Sequence, residues 1–481
     1  MSSFSALEIG KRALLAQRFG IDVTNNNIAN VNTPGYSRRT PTLVETDPSN
    51  KSLGQYMGTG VSVSGLRNFR QELIDKEIRT ATSQNKGYEI DQEVYQKIDS
   101  VLAEPSDNGL NELTTKFLMT FNQLALTPDN VALRQSLLEQ ANTLTAQFNN
   151  TANGLAEIRN DSRQSLEQNI IKANSLIKDI ASLNMSIATS KVPTNIETQS
   201  LIDKRAGKIE ELSEIFGINV AYNDDGTANV FVNGTNIVTA GVSSEIKLNE
   251  TINEITGEKT LQLIKINTDN QSATMLTPES GTAANYLKYY NVLLDDKESS
   301  NSFSAAKMLD EFANALAQSI NSKVISGYGL EDVQGPPPGR SFFEPSVGFV
   351  SAAQIKVSPD IANKPKAIPL SSKAGEPGNN DIALQIARIS EDQSFLNGQT
   401  PTEFYANYLS KLSYATNESI NGYNTTSLIK QQLQTQRESA IGVNLDEEAI
   451  SLIKFQKAFE AASRVINTTN EMLATIVNLG K

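Results

Sequence analysis

The chain has 481 residues, 38% of them apolar, with a formal net charge of -12, which is length for several domains. It contains no cysteine, histidine or tryptophan, and this excludes disulfides, thiolate metal sites, cysteine nucleophiles and any catalytic arrangement built on a histidine base. The acidic balance argues against nucleic-acid binding, no run approaches the roughly 18 apolar residues that cross a membrane, and the first residues lack the compact apolar stretch and cleavage site of a cleaved leader.

Residues 4 to about 30 read as an amphipathic helix in which Leu7, Leu14, Ile21 and Ile28 recur every seven positions. Its basic excess (Lys11, Arg12, Arg18, then Arg38 and Arg39, against Glu8 and Asp22) suits either a solvated face or attraction to an acidic neighbour. The helix stops in Asn30-Val31-Asn32-Thr33, and the following Pro34-Gly35 fits the centre of a type II turn. Residues 40 to 70, with Val61 and Val63 alternating, read as turns and short strands. Helices are predicted over 70–103, closed by Pro105 and Gly109, and over 111–126, closed by Pro128. A very long helical pattern then runs from Asp129 to about Ser190, where Ala141, Phe148 and Leu155 share one heptad line and Leu137, Leu144 and Ile158 a second. Sixty helical residues span roughly 90 Å, which predicts a rod. Gly154 is its weak point, Pro193 ends it, and a shorter helix covers 195–216.

From 218 to 275 the period changes to two. Asn223-Asp224-Asp225-Gly226, Asn233-Gly234 and Thr256-Gly257 mark hairpin turns in a β-meander. Asp224-Asp225-Gly226 lacks the alternating ligands and distal glutamate of a calcium loop, so the turn is the better reading. The alternation slips between Leu261/Leu263 and Ile264/Ile266, which calls for a bulge or two-sided burial. Helix resumes over 303–325, Gly335-Pro336-Pro337-Pro338-Gly339 is a loop, and 340–380 read as irregular chain with short strands. Helices follow over 381–391 and 401–438, with Gly442 as a joint. The last helix starts after Asn444, an N-cap with Glu447 three residues on as in a capping box, while Asp446, Glu447 and Glu448 favour the helix dipole. Along it Leu445, Leu452, Phe459, Ile466 and Leu473 recur every seven positions. There is no phosphate-binding loop or dinucleotide fingerprint, the carboxylates fall in no glycosidase signature, and no cofactor is called for.

Two matched stripes at opposite ends of one chain predict two helices that pack together. A plain intramolecular bundle is the simpler reading. The first stripe is marginal alone, because four apolar side chains offset little of the entropy of ordering a helix of that length. The predicted assembly interface is therefore a seam between copies, made by Leu7, Leu14, Ile21 and Ile28 with Leu445, Leu452, Phe459, Ile466 and Leu473. The expected fold is mainly α with inserted β (α+β, multidomain). A coiled-coil-like inner domain comes from 1–40 and 441–481, and a long-helix rod from 41–217, 283–335 and 381–440. The β-meander over 218–282 and a small loop and strand region over 336–380 form a β-rich outer region.

The segment Asn26-Asn27-Ile28-Ala29-Asn30-Val31-Asn32-Thr33-Pro34-Gly35-Tyr36-Ser37-Arg38 resembles the N-terminal motif of bacterial flagellar axial proteins, and its Tyr36-Ser37-Arg38 ending is most similar to the hook-associated protein 1 family. Gln436 to Ser439, Gly442-Val443-Asn444-Leu445-Asp446-Glu447-Glu448-Ala449, Phe455-Gln456 and Ala461 to Ile466 resemble that family's C-terminal signature. Around Asn321 to Gly329 the family often carries a histidine, absent here. The resemblance implies a structural, non-enzymatic subunit of the hook–filament junction. It would be exported unfolded by the flagellar type III system without a cleaved signal, and would polymerise with itself. Its implied partners are the hook protein, hook-associated protein 3 and an export chaperone. Other axial proteins (hook-associated protein 3 or a distal rod protein) and a cell-wall hydrolase are the alternatives.

Overall fold

The computed structural model describes residues 3–33, 35–46, 49–51, 55–102, 104, 106–190, 195–252, 259–266, 272–295 and 303–479. Pro34, Pro105, Pro193 and Thr256-Gly257, singled out above as turns and breaks, lie outside the described residues.

Helix α1 covers Ser3–Ala29. It leads into a ribbon in which β1 (Arg39–Glu45) pairs antiparallel with β4 (Val61–Asn68) and β2 (Ser49–Lys51) with β3 (Gln55–Met57). The ribbon lies on α1: Gly60, at φ +103°, brings its backbone so close that a Cβ there would stand 3.5 Å from Ile9. The expected rod boundary at residue 41 therefore differs from the packing, which leaves this ribbon with the N-terminal helix.

Helices α2 (Glu72–Leu102), α3 (Leu110–Leu126), α4 (Val131–Ala188) and α5 (Ile196–Ile215) build the rod. Asn130 caps α4, accepting from the N–H groups of Ala132 and Leu133 at 3.0 and 3.2 Å. At 58 residues α4 is roughly 90 Å long. Both predicted heptad lines face inward, with Leu137, Ala141, Leu144, Phe148 and Leu155 buried. Gly154 does not weaken α4 by breaking it. The helix runs straight through, and a Cβ there would lie 2.7 Å from Val101, so the glycine admits α2.

The strands that directly follow α5 form two antiparallel sheets. One has the order β5 (Ile218–Tyr222), β6 (Ala228–Val232), β7 (Thr235–Thr239), β8 (Val242–Ser243). The other sets β10 (Lys259–Ile266) between β9 (Glu245–Ile252) and β11 (Ala273–Leu276). The first two predicted turns are present. Asp225 accepts from the N–H and hydroxyl of Thr227 at 2.9 and 2.6 Å, and Asn233 and Gly234 both have positive φ, as a type I′ turn requires. The slip in β10 is two-sided burial and not a bulge: its register with β9 is unbroken, Leu261 and Leu263 are buried, and Ile264 and Ile266 are half-buried on the other face. Helix-borne asparagines hold the sheets to the rod by pairing with strand backbone as another strand would. Asn174 donates to the Ile246 carbonyl at 2.8 Å and accepts from its N–H at 2.9 Å. After α6 (Thr282–Lys288), a π-turn over Tyr289–Leu293 carries Asn291, which does the same to Leu261 at 2.8 Å each way.

Helix α7 (Ala305–Val324) is followed by β12 (Phe343–Glu344), paired with β13 (Lys356–Val357), then α8 (Asp381–Ala387) and α9 (Pro401–Ile441). The segment 336–380 sends Phe342, Phe343, Ile355, Ile361, Ile368 and Leu370 into the core, which differs from a wholly outer position, while 346–349 and 375–378 are exposed. Phe342 and Phe343 set their rings 5.6 and 5.8 Å from Phe117 of α3. The buried Arg134 guanidinium donates to the carbonyls of Pro128 and Ile368, both at 2.7 Å. Burial pulls its pKa down to about 10, opposed by Asp129. One apolar core includes these aromatics, both sheets and the rod helices. The last helix, α10 (Leu445–Leu479), leaves that core and returns to α1.

Candidate assembly interface

Helices α1 and α10 run antiparallel, and two glycines set their approach. A Cβ on Gly10 would stand 2.8 Å from Ile466, and one on Gly20 would stand 2.6 Å from the Phe455 ring. Farther along the pair, Asn27 donates to the Glu448 carboxylate at 3.0 Å. Glycine inside a helix costs about 1 kcal/mol against alanine, so two of them in a 27-residue helix mark close packing.

The predicted interface residues lie along this pair. Leu7, Leu14, Ile21 and Ile28 occupy one half-buried flank of α1, beside the row of Gly10, Gly20, Val23 and Asn27. Leu452, Phe459, Ile466 and Leu473 are half-buried and, by helical spacing, share the α1-facing side with Phe455 and Glu448. Leu445 is exposed. Away from the α1-facing side of α10, Ile450, Ile453, Val465 and Met472 are more than half exposed, and Leu15 is similarly open on α1. The heptad reading missed this outward row and both glycines. The uninterrupted mid-helix glycines were the available signal.

The motif residues converge at the root of the pair. Ile28 and Ala29 end α1, and Thr33 donates through its N–H to the Asn30 carbonyl at 2.9 Å. The Tyr36 N–H donates to the Thr33 carbonyl at 3.2 Å across Gly35, which has φ +77°. The Tyr36 hydroxyl donates to the side-chain oxygens of Asn26 and Asn27 at 3.0 and 2.7 Å, and burial pushes its pKa up to about 12. Asn27 also donates to the Arg39 carbonyl at 2.8 Å. Ser37 is buried. Arg38 reaches Glu448 at 2.7 Å and Glu447 at 2.8 Å. Asn444 caps α10 as predicted, accepting from the N–H of Asp446 at 2.9 Å and of Glu447 at 3.4 Å. The Glu447 carboxylate turns to Arg38, so the other half of the predicted capping box is replaced by an ion pair.

Next to this, Arg39 meets Asp203 of α5 at 2.6 Å, with its guanidinium 4.7 Å from the centre of the Tyr36 ring. Burial raises the pKa of Asp203, opposed by Arg39 and Arg70. Among the described residues no cluster of three or more acidic side chains is placed to hold a metal ion, and no helix is long and apolar enough to cross a membrane. The arrangement is built for side-chain packing and fixed geometry.

Comparison with known proteins agrees with this anatomy. Residues 95–343 match the family described as flagellar hook-associated protein FlgK helical domain. Residues 434–479 match the C-terminal family of flagellar basal body rod FlgEFG proteins, and residues 7–36 match the flagella basal body rod protein family. Flagellar hook-associated protein 1 of Bacillus subtilis is 25% identical over 99% of this chain and 98% of its own length. The protein of the same name from Salmonella typhimurium is 24% identical over 97% and 98%. The flagellar hook junction protein FlgK of Burkholderia pseudomallei shares the fold, with a TM-score of 0.62 at 12% identity, covering 76% of this chain and all of that one. The chain thus belongs to the flagellar hook-associated protein FlgK family and is a structural component of the bacterial flagellum.

Proposed function

We propose that this chain is the hook-associated protein 1 of its flagellum, a non-catalytic subunit that adapts the hook lattice to the filament. The observation that carries the reading is the α1/α10 pair, a helix pair that buries one side of each stripe and leaves apolar side chains facing outward. Copies assemble by a heterologous contact that repeats along a helix. Leu452, Phe459, Ile466 and Leu473, with Leu7, Leu14, Ile21 and Ile28, complete their burial there, and Leu15, Ile450, Ile453, Val465 and Met472 meet the neighbouring copy. The hook protein lies below and hook-associated protein 3 above. The chain reaches this position unfolded through the flagellar type III route, escorted by an export chaperone, and the absence of cysteine suits that passage.

Phe459→Asp tests the reading. A charge placed in a seam that closes on assembly costs several kcal/mol, so labelled flagella should carry none of the variant at the hook tip. The rod should melt as in the parent protein. Normal incorporation of Phe459→Asp defeats the assignment of this seam.

A further inference from the structure

The described chain between the terminal pair and the rod passes by two routes, residues 30–71 on one side and 442–444 on the other. Two runs of ion pairs lie at this junction, joined through the backbone of Arg38 and Arg39. Arg38 and Arg39 are neighbours in sequence but grip different bodies: Arg38 holds Glu447 and Glu448 of α10, and Arg39 holds Asp203 of α5 at 2.6 Å. From Asp203 the second run continues to Arg70 at 3.6 Å, from Arg70 to Asp75 of α2 at 2.5 Å, and from Asp75 to Arg437 at the end of α9 at 3.7 Å. Arg437 closes it on Glu210 of α5 at 2.8 Å. The side chains of Arg39, Asp75 and Glu448 are 3%, 5% and 3% exposed.

A flexible joint keeps its charges in water, where exchanging partners is cheap. Here rotation of the terminal pair against the rod would separate Arg39 from Asp203, whose side chains are 3% and 12% exposed, and would leave both charges buried and unpaired. The paired arginines are short links, one to each body, on a segment already tied down by Tyr36 and Asn27. We propose that Arg38 and Arg39, with their carboxylates, are a rigid lock that fixes the angle between the α1/α10 pair and the rod, so that the two turn as one piece. The inference deepens the reading of α1/α10 as the assembling element, by naming the residues that transmit load from it to the rest of the subunit.

The chain has no cysteine, so cysteines introduced at the exposed positions Lys178 of α4 and Asn467 of α10 take spin labels cleanly. In dilute monomer, the distance distribution between the labels should be a single narrow peak. Arg39→Gln combined with Asp203→Asn removes both charges of the central link and should at least double its width at unchanged helicity. A broad distribution in the parent chain, or an unchanged width in the double variant, overturns the lock. Should the double variant lose helicity, Arg437→Met at the more open end of the second run takes its place, with a smaller broadening expected and an unchanged width again decisive against the proposal. The measurement needs no assembly, so it can fail while incorporation at the hook tip succeeds, and the reverse.

Discussion

The rod helix α4 and the terminal helix α10 carry the same seven-residue apolar period and use it differently. In α4, Leu137, Ala141, Leu144 and Phe148 are fully buried, because helices α2, α3, α5, α6 and α7 and strands of both sheets pack along it. In α10 the stripe is half-buried against α1, and Ile450 and Ile453 on its other side are 68% and 58% exposed. A heptad reports the spacing of one face, and burial depends on how many partners reach it. The rod finishes its core within one copy, while the terminal pair leaves apolar surface for contacts that one copy does not supply.

The contrast is broken most severely from the rod side. Phe148→Ala removes a fully buried ring that packs 5.7 Å from Phe312, and should cost about 3–5 kcal/mol. Urea unfolding followed by helicity should show a large fall in midpoint. A fall below about 1 kcal/mol would mean that α4 is no better packed than α10. A smaller effect is expected in the pair. Gly20→Ala places a methyl 2.6 Å from the Phe455 ring, so the ring must shift to admit it. Overpacking costs about 1–3 kcal/mol against a helix-propensity gain of about 1. Amide exchange along α1 and α10 should speed up several-fold, with the rod unchanged. Gly10→Ala meets one atom below 3.0 Å, Cγ1 of the branched Ile466, where Gly20→Ala meets three ring atoms, and should speed exchange less. Equal responses at both glycines would show that contact distance does not set the stability of the pair.

How far the sequence could be read follows the range of the interactions involved. Periodicity located α4 and α10 to within a few residues, because buried faces repeat along one helix. Asn233-Gly234 identified its hairpin because positive φ at both positions selects those residues. Long-range polar contacts left no such trace. Asn174 and Asn291 look like any surface asparagine in sequence, yet each pairs with a strand backbone 72 and 30 residues away. One anchor of 336–380 is Arg134, whose carbonyl partner at Ile368 is 234 residues distant. At the candidate site the motif from Asn26 to Arg38 was recognised as a unit. Its partners Glu448 and Asp203 lie 410 residues from Arg38 and 164 from Arg39, and only the folded chain brings them together.

The smallest expected effect separates the two roles of α10. Ile453 is 58% exposed and lies opposite the α1-facing row, so Ile453→Ser removes almost nothing from the monomer. Its stability should stay within about 0.5 kcal/mol of the parent, as surface substitutions do. If the outward row meets a second copy, the same change removes a buried isoleucine from every repeat of the assembly, at about 1.5–3 kcal/mol per contact. Incorporation at the hook tip, read by labelling, should then fall at low expression and recover when the subunit is supplied in excess, because mass action offsets a weakened contact. Phe459→Asp should show no such recovery, since it places a charge in the seam. Parent-like incorporation of Ile453→Ser at every expression level would remove the outward row from the interface and leave the α1-facing seam to carry assembly alone.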